Sequence, residues 1–169
     1  MNTIITYLQN NQKKLWIMPV LAVLGTFGFL AWNYQQEKQN TTAQSEMFQA
    51  VYQFEAGNYD KALQGDETYV GFLDIIHNYR FTKAANLAHF YAGVSYMHQA
   101  NYQEAIHHLK CFCAKDFLLQ ARAWSLIGDA SVEQKHYTQA IKYYLQAAKH
   151  QPNEVYSPIY WSKAAFTMF

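Results

Sequence analysis

The chain has 169 residues, 51% hydrophobic and 17% aromatic, with a formal net charge of +1. That length holds one domain plus an anchor, and the near-neutral balance argues against a nucleic-acid footprint or a polybasic membrane patch. Two cysteines, Cys111 and Cys113, are too few for a disulfide framework. On a helix their side chains point about 200° apart, so they read as ordinary thiols on or near a packed face.

The first predicted element is a membrane helix. Lys13 and Lys14 precede Leu15 to Trp32, a run without charge in which only Thr26 and the glycines interrupt the apolar sequence. Eighteen helical residues span roughly 27 Å, close to the thickness of a thin bilayer. Trp16, Trp32 and Tyr34 stand at the two ends, where interfacial aromatics belong, and Pro19 falls in the first turns, where a kink costs little. A cleaved signal peptide fits poorly, because Phe29-Leu30-Ala31 puts a bulky residue at the cleavage position. Positive-inside logic places residues 1–14 in the cytoplasm, 15–32 across the membrane and everything beyond outside it. In a bacterium that is a single-pass inner-membrane protein with a periplasmic domain.

Residues 33–42 are a polar stalk or a continuation of the membrane helix. The next expectation is a helix over 43–56, with Met47, Ala50, Val51 and Phe54 at i, i+3, i+4 and i+7. Gly57-Asn58 is its turn, and a second helix starts at Tyr59. In the following stretch Tyr69, Phe72, Leu73 and Ile76 repeat that spacing, which predicts an amphipathic helix packed on the domain. Thr82 is the N-cap of a helix over 83–99, and Asn101 opens a partner running to about Ala114. A third pair covers about 118–133 and 137–150, closed by Pro152. A further helix begins near Pro158, and the pattern stops in mid-repeat at Phe169. This favours a chain cut short, or an apolar face covered by another chain or by a homodimer partner.

Three stretches organise this reading: Asn58-Tyr59-Asp60-Lys61-Ala62-Leu63, Asn101-Tyr102-Gln103-Glu104-Ala105-Ile106 and His136-Tyr137-Thr138-Gln139-Ala140-Ile141. Each is a polar residue, a tyrosine, two polar residues, an alanine and an aliphatic. Recurrence at about 34 residues marks a helix-pair solenoid, in which the alanine is small because two helices cross there. The interval from Ala62 to Ala105 is longer than that from Ala105 to Ala140, so the first junction holds an insertion. The expected fold class is all-α: one membrane helix, then a solenoid of about three helix pairs and an unpaired last helix over 43–169.

These residues resemble the tetratricopeptide repeat family. The third repeat carries Trp124, Ile127, Gly128, Ala140, Tyr144, Ala147 and Pro152 at that family's spacings, and the second carries Ala92, Gly93, Tyr96, Ala105 and Leu109. The first keeps only Ala50 and Ala62, with Phe54 near the aromatic position. The resemblance implies a protein-binding array, with a concave groove formed by the first helix of each pair. The groove positions would be Met47, Val51 and Phe54, then Leu87, Phe90, Val94 and Met97, then Arg122, Ser125, Asp129 and Glu133. The first half is apolar and the second polar. Family members that clamp a terminal carboxylate do so with lysines and asparagines, and Met47, Val51 and Tyr91 stand there instead. An apolar groove suits hydrophobic segments as ligands, unless the insertion or the stalk covers it.

No catalytic site, cofactor or metal is expected. His107, His108 and Cys111 have helical i, i+3 and i+4 spacing, but no second cluster completes a tetrahedral set. Asp66 and Glu67 are adjacent in a turn after Gly65 and suit solvent better than acid/base work. There is no phosphate loop or nucleophile elbow.

The combination of cytoplasmic tip, membrane helix and external array also resembles the ancillary subunits of the bacterial Sec translocon. The segments Gly65 to Ile76, Thr82 to Ala88 and Tyr91-Ala92-Gly93 are similar to the Bacteroidota form. That resemblance implies translocon subunits, periplasmic chaperones or exported chains as partners. A structural scaffold of another envelope assembly, without client binding, is the second expectation.

Overall fold

The computed structural model describes residues 12–168, with side chains from Leu21 onward. Eight helices and one short hairpin follow in order among the described residues. They are α1 (Gln12–Glu55), α2 (Tyr59–Gln64), β1 (Gly65–Asp66), β2 (Tyr69–Val70), α3 (Phe72–Asn78), α4 (Lys83–His98), α5 (Tyr102–Cys111), α6 (Phe117–Glu133), α7 (Tyr137–Lys149) and α8 (Ser157–Phe166). The chain divides into two compact units, Met1–Gln39 and Asn40–Phe169.

In the first unit every side chain from Leu21 to Gln35 is exposed. Phe27 is 69% and Leu24 62% exposed, so the apolar residues of this stretch have no protein core around them. No helix among the described residues is long and apolar enough to cross a membrane. Residues 15–20 of the expected span, and the expected cytoplasmic segment 1–14, lie outside the described side chains. The segment 33–42 is helical as part of α1.

The second unit is the solenoid. Helix α5 packs on α4 and α6, α7 on α6, and α8 on α7. The crossings are close because the residues there are small: Ala62, Ala105 and Ala140 are completely buried. Gly93 and Gly128, which stand at equivalent places on α4 and α6, complete this arrangement. A Cβ on Gly93 would meet Leu109, and one on Gly128 would meet the Tyr144 ring.

The three recurring turns share one geometry. Gly57, Ala100 and Lys135 all have positive φ (79°, 56° and 61°), and the next residue's N–H reaches back to a helix carbonyl. Asn58 bonds Gln53, Asn101 bonds Tyr96 and His136 bonds Ser131, at 2.9, 2.9 and 2.8 Å. This is the 6→1 closure that ends a helix in a left-handed residue. Ala100 and Lys135 adopt a conformation that glycine would adopt without steric cost.

Elsewhere the caps are side chains. Thr82 Oγ1 accepts from Ala85 N–H at 3.1 Å, and Asp116 Oδ1 from Leu119 N–H at 2.9 Å. Asn40, buried in the protein, accepts the Ala84 N–H at 3.0 Å. A residue of α1 thereby caps α4, satisfying one of the donors a helix start leaves open.

Two expectations are corrected. Tyr69 is not helical: Gly65 pairs with Val70 and Asp66 with Tyr69 in an antiparallel hairpin, and only Phe72–Asn78 is helix. Asp66 holds the turn by accepting from the Thr68 N–H at 2.7 Å and its hydroxyl at 2.6 Å. These bonds hold its carboxyl below the usual aspartate range, the hydroxyl contributing most. Helix α5 ends at Cys111 instead of about Ala114, because Phe112 turns to extended backbone (ψ 137°). The Asn86 side chain then grips Cys113 from both sides, donating to its carbonyl at 2.8 Å and accepting its N–H at 3.0 Å. Both thiols are exposed, and the helical spacing argument does not apply to them.

Candidate binding cleft

The expected groove separates into two regions. In its apolar half Met47 (7% exposed) and Phe90 (8%) are buried, and Val51, Phe54, Leu87, Val94 and Met97 are half-buried. Met47 lies in a core with Ala50, Leu63, Phe72 and Ile75, and Val51, Phe54 and Leu87 pack on it. Phe72 comes from the insertion, whose ring stacks on Tyr91 at 5.3 Å and 10°. The insertion therefore covers the Met47, Val51, Phe54 and Leu87 end of this half, while Phe90, Val94 and Met97 pack in the next core with Leu109 and Phe112.

The polar half is open. Between α6 and α8 lies a cleft of about 620 Å3 whose wall includes Leu118, Leu119, Leu126, Tyr156, Ile159 and Tyr160. Arg122, Ser125 and Asp129 of the expected set line it, and Glu133 is exposed on the same helix. Helix α6 has small or aliphatic residues at Ala121, Ala123, Ile127 and Ala130 for its buried side. That leaves Arg122, Leu126 and Asp129 facing the cleft. Helix α8 is set by the turn before it. Asn153 Oδ1 accepts from the N–H groups of Val155 and Tyr156 at 3.1 and 2.7 Å, and its own N–H donates to Ser157 Oγ at 2.9 Å. Pro158 then starts the helix, where its missing N–H costs nothing.

The charges of the cleft are mostly paired. Lys163 Nζ donates to both oxygens of Asp129, at 2.7 and 2.8 Å, and to Ser125 Oγ at 3.2 Å. Tyr144 donates its hydroxyl to Asp129 at 2.7 Å, and Lys163 lies 5.6 Å from the Tyr144 ring centre. This network ties α6, α7 and α8 together. Burial and then the Asp129 carboxylate hold the Tyr144 phenol well above its ordinary range; burial also raises Tyr160. Asp116, also on the cleft wall, caps α6 and keeps its negative charge. Arg122 is exposed, and among the described residues it makes no hydrogen bond or ion pair.

The groove expected from the sequence left out the α8 side of the cleft, Tyr156, Ile159, Tyr160 and Lys163, although Ile159 and Tyr160 belong to the apolar face expected to need a cover. A signal was present, because Lys163 is the one charged residue of α8 and follows Asp129 by one repeat length. A second cleft, of about 870 Å3, opens between α7 and α8 along Tyr137, Ile141, Tyr144, Phe166 and Met168. Among the described residues no group of three His, Cys, Asp or Glu side chains is placed to hold a metal.

The architecture is that of a helix-pair array with an open cleft between α6 and α8. Residues 121–154, which take in most of α6, all of α7 and the turn after it, match the tetratricopeptide repeat. No curated protein matches the chain. The chain thus carries a tetratricopeptide repeat within an all-helical array, and such repeats are protein-interaction modules, generally without catalysis.

Proposed function

We propose that this protein is a membrane-anchored adaptor that holds a segment of a partner protein in the cleft between α6 and α8. The observation that carries the reading is the cleft itself, apolar along Leu118, Leu119, Tyr156 and Ile159 with Arg122 exposed and unbonded beside them. An extended segment with an apolar anchor and a nearby acidic group complements that lining. Anchoring through residues 15–32 is supported by the apolar run and by the exposure of Leu21, Leu24, Phe27 and Leu30. Each such side chain left in water forgoes roughly 1.5–3 kcal/mol of burial, which lipid would supply. The proposed setting is the bacterial inner membrane with the array periplasmic. The partners are Sec translocon subunits, periplasmic chaperones or exported chains, supported by the likeness of Gly65 to Ile76 and Thr82 to Ala88 to ancillary translocon subunits.

The filled half of the groove favours a second reading for that region, a scaffold that holds an assembly without clients. In-cell crosslinking of a tagged copy, mild-detergent purification and mass spectrometry separate the two. Recovery of translocon subunits with chaperones and exported chains is expected. One fixed assembly without clients would replace the adaptor with the scaffold.

A further inference from the structure

The crossing of α4 and α5 contains a contact that packing alone does not require. His89 Nδ1 and His108 Nδ1 lie 3.0 Å apart, and His108 is 8% exposed. The Tyr96 ring stacks on His108 at 5.5 Å and 25°, and His107 meets it edge-on at 5.3 Å. Gly93 and Leu109, the closest approach of the same helices, are one turn and one residue away.

Two facing imidazole nitrogens bond only when one carries a proton and the other does not. The neutral pair meets this with opposite tautomers. One added proton places a cation in a site whose neighbours are aromatic rings and further histidines. A second turns both nitrogens into donors pointing at each other. The charged groups around the site are of both signs, and none of the carboxylates among the described residues bonds the pair. His107 on α5 opposes a positive charge on either ring, and Glu104 on α5 and Asp60 on α2 bear on Tyr96.

We propose that the His89–His108 contact is an acid-sensitive clasp, closed while at least one of the facing nitrogens lacks a proton and opened when both rings are protonated, which loosens α4 from α5. Burial lowers the affinity of both rings for a proton, holding His108 down to about 4, with the neighbouring histidines adding to the effect. The sign follows. An unfolded histidine titrates near 6.5, so between that pH and about 4 the unfolded chain binds more protons than the folded one. Stability is complete above pH 6.5 and falls as the pH drops towards 4. The array that presents the binding cleft is therefore weaker in mildly acid surroundings.

The test is the thermal midpoint of the full chain in detergent at pH 7 and pH 5, for the wild type and His108→Gln, with imidazole NMR titration of the wild type. The wild type should lose about tenfold in its folding constant over that interval, a midpoint shift of roughly 5 °C, and the variant less than half as much. His108 should remain neutral at pH 5.5, and His89 should titrate below the ordinary histidine value. Equal losses in the two proteins, or rings titrating at the ordinary histidine value, would overturn the clasp. If the variant does not fold, the wild-type titration decides alone.

Discussion

Phe72→Ala should destabilise the array by about 3–5 kcal/mol, the range for deleting a buried aromatic ring. Phe72 is completely buried, and its ring meets Tyr91 face-on at 5.3 Å and Phe54 edge-on at 6.3 Å. It joins Met47 and Ala50 on α1 to Ala88 and Ala92 on α4. Removing it empties the centre of the first helix pair, where Gly65 and Gly71 fix the hairpin and leave little room for collapse. A Cβ on Gly71 would strike the backbone of Leu63 and Gly65. Chemical denaturation followed by circular dichroism measures the cost, and Phe72→Leu should recover more than half of it. A loss below about 1 kcal/mol would mean that the insertion does not carry this core.

The second large effect is at the third pair. Gly128→Ala should cost about 1–3 kcal/mol, as overpacking in a tight core does. The added Cβ would stand 2.5 Å from Tyr144 Cε1 and 2.7 Å from Cδ1. Tyr144 has little freedom to give way, because its hydroxyl is bonded to Asp129, which is bonded to Lys163. The same substitution made in a Tyr144→Ala background should be neutral or slightly stabilising, since alanine is the better helix former by about 1 kcal/mol. The double-mutant cycle isolates the clash as a coupling of at least about 1 kcal/mol. Additive effects would show that this glycine is not there for the ring.

Both effects also explain what the sequence made visible. The paired helices were legible because their determinants are local and repeat. A left-handed residue, a polar residue and a tyrosine make each turn, and an alanine four residues beyond marks each crossing. Glycine opposite a bulky residue, Gly93 with Leu109 and Gly128 with Tyr144, follows from the same spacing. The insertion was misread for the opposite reason. Tyr69, Phe72, Leu73 and Ile76 match helical spacing, yet two-residue strands are too short to show alternation, and the Asp66–Thr68 turn overrides Tyr69. The end of α5 was missed because Asn86, distant in sequence, holds Cys113.

The cleft was half legible. Arg122, Ser125 and Asp129 follow from their places on the first helix of a pair, but the opposing wall belongs to the next pair. Which residues of α8 close it depends on Pro158 and the Asn153 turn, and no periodicity records that. Nor could spacing indicate that Lys163 would pair with Asp129 and leave Arg122 without an ion-pair partner among the described residues. The apolar half looked like a groove because its residues lie on one helical face. The insertion uses the first part of that face as a core, and the α5 and α6 helices use the rest.

The most direct measurement is photocrosslinking in cells from a photoreactive residue at Ile159, in otherwise wild-type protein and in Arg122→Glu. Discrete adducts should form at this position, reduced several-fold by the charge reversal, and the captured peptides should carry an acidic residue near an apolar one. Adducts unchanged by Arg122→Glu, or none at all while crosslinks form from Tyr137 on the neighbouring cleft, would contradict the assignment of this cleft as the binding surface.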